Sequence, residues 1–174
     1  SPYRLEELKE GPSKGGFGQY LENAFFGLET NSRAEPDFYP IPLELKATPL
    51  KFNAKGDLVP KERLVLNIID YIETAKETDI YHSHFLMKNA IILIVWYIHG
   101  SALNYSDLKI QMTGLWKCLE EDKDQIISDW NCITQKIKQG KAHELSEGDT
   151  LYLGACTKGT TAEQSYRQQF GTDI

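Results

Sequence analysis

The stretch Pro36-Asp37-Phe38-Tyr39-Pro40-Ile41-Pro42-Leu43-Glu44-Leu45-Lys46 decides how the rest of the chain is read. It sets a carboxylate at Asp37, then an apolar run, then Glu44 and Lys46 one residue apart. Side chains alternate along a strand, so Leu43, Leu45 and Ala47 would share one face, with Glu44 and Lys46 on the other. Two acids and an amine converging at one strand end would hold a divalent cation and activate a water, the equipment for hydrolysing a phosphodiester. The competing reading is an edge strand with one wet face, because apolar/charged alternation is common in half-buried strands.

Upstream of this stretch, Lys14-Gly15-Gly16-Phe17-Gly18 reads as a flexible loop leading into a helix. It is not a P-loop, since the Lys-Ser/Thr pair after the glycines is absent. A glycine-rich helix entrance can approach a phosphate closely, and a simple helix-start loop explains it equally well. The helix is expected over residues 18–26, with Leu21, Ala24, Phe25 and Leu28 on its core face and Gly27 as its stop. Glu22 flanks that stripe, either as an ordinary surface charge or pointing inward toward the acidic strand.

Downstream, Thr48-Pro49 is expected to end the strand, and residues 53–57 read as a hairpin turn. Residues 63–69 are expected as the returning strand, and residues 73–79 as a charged loop or short helical turn. His82 and His84 invite a metal reading, but two histidines are weak evidence against surface or packing roles. Lys88 precedes the most apolar run, residues 90–98, which suits a central strand buried on both faces. Leu108, Ile110 and Met112 alternate with polar residues as a further half-buried strand.

Acids from Glu120 to Asp124 open an amphipathic helix lined by Ile126, Trp130, Ile133 and Ile137, and Gly140 closes it. That helix is expected to pack and to carry no catalytic group. Residues 151–155 read as a last short strand. The polar, basic loop Thr157-Lys158-Gly159-Thr160-Thr161 suits phosphates or base edges, or a plain surface role. The sum is a mixed α/β domain with a central sheet and flanking helices.

Composition bounds this picture without deciding it. A chain of 174 residues, 41% hydrophobic and 25% charged, suits one soluble domain with a sizeable core. Its longest apolar run is far short of a membrane span. No signal peptide is legible, and the first residue is Ser rather than Met, which leaves room for a missing native start. Cys118, Cys132 and Cys156 are sparse, odd in number and far apart, fitting a reducing cytoplasm better than a disulfide scaffold. The net charge of −6 argues against indiscriminate nucleic-acid binding by the whole surface. It does not exclude a nuclease, whose carboxylates are neutralised by bound metal ions.

The combination Pro36-Asp37…Glu44-Leu45-Lys46 resembles the PD-(D/E)xK nuclease motif. The segment Lys14-Gly15-Gly16-Phe17-Gly18-Gln19…Leu21-Glu22…Phe26-Gly27 looks like the first block of the MutH group, which contains a mismatch-repair nicking endonuclease and type II restriction enzymes cutting at GATC. Ser83-His84…Lys88, Asp129-Trp130, Gly140-Lys141, Ser146-Glu147, Tyr152-Leu153 and Thr157-Lys158-Gly159 are similar to further blocks, in order. The segments around residues 61–69 and 140–148 look closer to the GATC restriction enzymes than to the mismatch-repair branch.

The resemblance implies a restriction-endonuclease-like fold and Mg²⁺-dependent hydrolysis of double-stranded DNA at GATC. It implies that Asp37 and Glu44, with the Leu45 carbonyl, ligate Mg²⁺, and that Glu22 reaches the metal directly or through water. Lys46 would position the attacking water and Lys88 would add positive charge near the scissile phosphate. Lys14, Thr157 and Lys158 would contact DNA. In the family a lysine-rich strand and a terminal helix follow the position where this sequence stops, and the restriction relatives carry a second, similarly folded DNA-binding domain lacking the acids. Residues 1–174 are therefore expected to form a single catalytic domain, a fragment of a longer two-domain protein. The alternatives are a nickase of hemimethylated GATC and a non-catalytic DNA-binding module.

Overall fold

A computed structural model describes residues 16–29, 35–100 and 104–156. The described chain gathers into two compact units. The described residues of the first fall within Ser1–Leu66 and Lys88–Lys117, those of the second within Asn67–Met87 and Cys118–Ile174.

The first unit opens with helix α1 (Gly16–Tyr20), which runs directly into a single π turn at Leu21–Phe25. The wide turn is visible in the backbone, where Phe26 N donates to Leu21 O at 2.9 Å. A π turn adds a residue to the helical repeat. The expected stripe is therefore displaced: Leu21 is buried, Ala24 and Phe25 are exposed, and Phe26 packs inward instead, edge-on to Phe38 with ring centroids 5.3 Å apart. Gly27 ends the helix at a φ of 67°, as its sequence position suggests.

Strands β1 (Leu43–Phe52), β2 (Leu58–Pro60), β3 (Ile91–Ile98) and β4 (Ile110–Lys117) form a mixed sheet in the order β2-β1-β3-β4. Strand β1 is parallel to β3, and the outer pairings are antiparallel. The strand carrying Glu44 is thus internal, not an edge. Leu45 and Val95 join Phe17, Leu21 and Tyr105 in the core, with Ala47, Leu93, Phe26 and Phe38 packed beside them. This face takes every second residue of β1 and β3, which leaves Glu44, Lys46 and Thr48 on the opposite face with Ile92 and Ile94.

Three strand expectations change. Strand β1 continues through Pro49 to Phe52. The Pro49 carbonyl accepts from Lys61 N, just past the last β2 pair, Leu50 with Pro60. The missing N–H of Pro49 therefore faces the frayed margin of β2, where a proline costs the sheet little. The return strand is Leu58–Pro60, paired straight out of the hairpin, and residues 63–69 have no regular structure. Strand β4 carries a bulge: Tyr97 faces Ile110 while Trp96 faces Met112, leaving Gln111 as the extra residue. The alternation begun at Leu108 does not carry through it. Leu108 packs at the core, and Ile110 and Met112 are exposed.

The hairpin itself forms as expected. Asn53 Oδ1 accepts from Lys55 N and Asp57 N, and Gly56 supplies the positive φ of 86°.

In the second unit, Asp70 caps helix α2 (Tyr71–Lys76) by accepting from Ile72 N and Glu73 N. The chain returns to the first unit within helix α3 (His84–Asn89). Helix α4 (Lys123–Lys138) buries Ile126, Trp130, Ile133 and Ile137 as the periodicity requires. It ends in a Schellman motif, with Gly140 at a φ of 70° and Lys141 N donating to Lys136 O at 2.9 Å. Ile133, Ile137, Ala142 and Ala155 form this unit's core, with Ile69, Tyr71 and Leu153 against it. Residues 151–155 are not a strand, for a reason given below. No helix among the described residues is long and apolar enough to cross a membrane.

Candidate active site

The parallel pairing of β1 and β3 sets Leu43 opposite Ile91, so both strands begin at the same end of the sheet. Glu44 is the second residue of β1, and Lys88 lies on α3 three residues before β3 starts. Sequence positions 44 residues apart thereby converge: Lys88 Nζ is 3.6 Å from Glu44 Oε1, and Lys46 Nζ is 2.7 Å from the same oxygen. The Glu44 side chain is only 2% exposed, and both ammonium groups are partly solvated. A carboxylate buried this deeply stays ionised at tolerable cost only when paired and hydrogen-bonded.

Asp37 is tied to the same point by a reciprocal clasp. Leu45 N donates to Asp37 Oδ2 at 2.9 Å, and Asp37 N donates to Glu44 Oε2 at 3.2 Å. The loop between them folds on itself, with Phe38 N donating to Leu43 O and Ile41 N to Phe38 O. The six-residue gap between them in the sequence is thus a closed turn that brings two carboxylates to one strand end.

Glu22 reaches the group from the π turn. Burial pushes its proton affinity above that of an ordinary glutamate, and the negative charge of Asp37 adds to this. Lys46 and Lys88 offset the rise, while Glu44 adds to it. Each of these residues therefore lies within electrostatic reach of Glu22. The structure brings together Glu22, Asp37, Glu44, Leu45, Lys46 and Lys88. Lys14, Thr157 and Lys158 lie outside the described residues.

The donor set fits a hard divalent cation. Carboxylate and carbonyl oxygens are what Mg²⁺ takes, and it needs only one or two protein carboxylates when waters and a phosphate complete its shell. Among the described residues, Asp37 Oδ1 accepts no hydrogen bond, while Oδ2 holds the backbone. Burial is the main reason that Glu22 holds its proton more tightly, and Asp37 and Glu44 add to it; a cation among these carboxylates would work the other way. No cage of three or more His, Cys, Asp or Glu side chains occurs among the described residues, so the ion would depend on the carbonyl and on its own waters. His82 and His84 are exposed and pair with Asp79 and Glu77, in keeping with surface roles.

One buried carboxylate was named in the sequence only as part of the Asp129-Trp130 block, with no role attached. Asp129 of α4 is 2% exposed and accepts from the backbone N–H groups of Leu151, Tyr152 and Leu153 and from Gln125 Nε2. Those three N–H groups converge on one carboxylate and cannot also serve a ladder, which is why the expected last strand does not form. The available signal was its place at i+3 from Ile126, beside Trp130, on the buried stripe.

A mixed sheet with flanking helices and an Asp…Glu-x-Lys set at one end belongs to the restriction-endonuclease-like class of folds. Within that class the chain belongs to the MutH family, whose profile, described as DNA mismatch repair enzyme MutH, matches residues 26–129. The chain is 41% identical over 171 residues to the type II restriction enzyme Sau3AI of Staphylococcus aureus, covering 97% of this chain and 34% of that protein. It is 26% identical to the DNA mismatch repair protein MutH of Shewanella amazonensis, covering 91% of this chain and 69% of the relative. For MutH of Haemophilus influenzae the identity is 28%, over 85% and 66%. The chain thus spans about a third of the length of the restriction enzyme and about two thirds of the two MutH proteins.

Proposed function

We propose that this chain is the catalytic part of a type II restriction endonuclease that hydrolyses double-stranded DNA at GATC sites with Mg²⁺. The observation that supports this reading most is the clasp of Asp37 and Glu44 with Lys46 and Lys88 at one sheet end. Two carboxylates at one sheet end offer oxygen ligands to a divalent ion, and the two partly solvated ammonium groups beside them offer positive charge to a phosphate. Higher identity to the restriction enzyme than to the two MutH proteins favours double-strand cutting over nicking.

Asp37, Glu44 and the Leu45 carbonyl would hold the ion, with Glu22 directly or through water. Bound Mg²⁺ supplies a Lewis acid for the phosphoryl oxygen and lowers the pKa of a coordinated water. Lys46, held on Glu44, would orient the attacking water and stabilise its developing hydroxide character. Lys88 would stabilise charge on the phosphoryl oxygens as the new P–O bond forms and the ester P–O bond breaks, the attacking water losing a proton to solvent and the departing ester oxygen taking one from a water. Lys14, Thr157 and Lys158 would contact DNA. The full-length protein would carry a second DNA-binding domain and act in the cytoplasm.

The test is cleavage by the full-length protein of GATC-containing plasmid and of plasmid lacking the site, with Mg²⁺, in each methylation state, followed by end mapping on both strands. Cuts on both strands at GATC are expected. Cuts confined to one strand of hemimethylated DNA would assign the nickase role instead. DNA binding without cleavage under any divalent metal would leave only a binding module.

A further inference from the structure

The apolar run between Asp37 and Glu44 divides into two sets. Phe38 and Leu43 turn inward, with Phe38 against the core. Tyr39 and Ile41 turn outward and remain 69% and 59% exposed. They do not sit on a loose loop. Tyr39 N donates to Pro36 O, Ile41 N to Phe38 O and Leu43 N to Ile41 O, and the whole turn hangs on the Asp37–Glu44 clasp. Pro36, Pro40 and Pro42 restrict the backbone further.

We infer that Tyr39 and Ile41 form an apolar contact for the DNA strand beside the scissile phosphate, packing on deoxyribose and base edges. The inference rests on the nuclease reading and deepens it. Tyr39 is two residues from Asp37, so their Cα atoms are at most about 8 Å apart. Successive nucleotides of one strand advance about 3.4 Å along the duplex. A phosphate held at Asp37 therefore puts its immediate neighbours within reach of the turn. No residue from Phe38 to Leu43 is charged, so the turn has no cation to pair with a phosphate; its one side-chain donor is the Tyr39 hydroxyl, which Tyr39→Phe removes while keeping the ring. Sugars and bases are the apolar surfaces that a DNA strand offers. Rigidity matters too, because side chains already fixed lose little entropy on binding.

Binding of the full-length protein to a fluorescein-labelled duplex containing GATC is measured in Ca²⁺ across a salt series, beside steady-state cleavage in Mg²⁺. The double variant Tyr39→Ala/Ile41→Ala is expected to weaken binding about tenfold. The slope of log K against log salt stays unchanged, because no phosphate contact is lost. KM should rise while kcat holds, and Tyr39→Phe should restore binding next to Ile41. Unchanged binding would overturn the inference, as would a loss confined to kcat, which would mean that the turn merely positions Asp37. Circular dichroism and thermal melting confirm that the variants fold. If wild type binds but never cuts, the nuclease reading fails while the binding comparison still judges the turn.

Discussion

At the scale of single residues, the candidate site is legible where its members are near in sequence and opaque where they are not. Asp37, Glu44 and Lys46 can be picked out because alternation along one strand fixes their common face. Glu22 and Lys88 carry no such local mark. Their convergence depends on a π turn and on the parallel register of β1 with β3, so the residues left their roles open and the resemblance was needed to choose. The amide variant Asp37→Asn keeps an oxygen for Leu45 N, so the clasp should hold while the charge is lost. Cleavage is expected to fall by about 10²–10³-fold or more, with the melting temperature within a few degrees of wild type. Full activity in that variant would remove Asp37 from the centre. Asp129 is a separate case, with a structural role. Burial opposes its charge, but the N–H groups of Leu153 and Tyr152, with Gln125 and Leu151, hold its proton affinity below the ordinary aspartate value of 3.8. The folded carboxyl thus binds a proton less readily than the unfolded one. Its stabilisation is complete above the unfolded pKa and is lost as pH falls through the folded value. Asp129→Ala, which strands three backbone donors, is expected to cost roughly 2–4 kcal/mol in urea unfolding at neutral pH. The deficit relative to wild type should shrink as the pH is taken down to about 3.

At the scale of elements, what the sequence reveals depends on how local the determinants are. The Asn53–Asp57 turn and α4 with its Gly140 stop are each specified within a few residues, and each is found where the pattern puts it. The elements that were misread depend on distant partners. Residues 151–155 have strand-like composition, but their N–H groups are captured by a carboxylate more than 20 positions earlier. Residues 63–69 are rich in Leu, Val and Ile, yet β1 has already found its antiparallel partner in Leu58–Pro60. The bulge at Gln111 and the π turn at Leu21–Phe25 each insert one residue into a repeat, so the simple period no longer says which later residues face inward. The hairpin gives a clean test of local specification. A Cβ at Gly56 would meet nothing within 4 Å, so Gly56→Ala should suffer only from its φ of 86°. A loss of about 1 kcal/mol is expected, read as a shift in urea midpoint without a change in slope. A neutral result would mean that the turn relaxes to another type.

At the scale of the whole molecule, charge separates specific metal binding from the diffuse kind. With a formal charge of −6, the chain attracts divalent cations everywhere on its surface, but that attraction is screened over about 8 Å at physiological salt. A site built from Asp37, Glu44 and the Leu45 carbonyl, with Glu44 buried, is shielded far less. Mg²⁺ bound there should stabilise the folded chain by about 2.7 kcal/mol at a hundredfold excess over its Kd. For a chain of this size that is a rise in melting temperature of about 5–10 °C. The rise should persist in 0.15 M KCl, saturate with metal, and vanish in Asp37→Asn/Glu44→Gln. Chelation with EDTA should abolish cleavage and return the melting temperature to its metal-free value without unfolding the protein, because the clasp and the two lysines hold the site together without the ion. A metal-dependent rise of equal size in the double variant would place the binding elsewhere on the acidic surface, and the proposed centre would lose its ion.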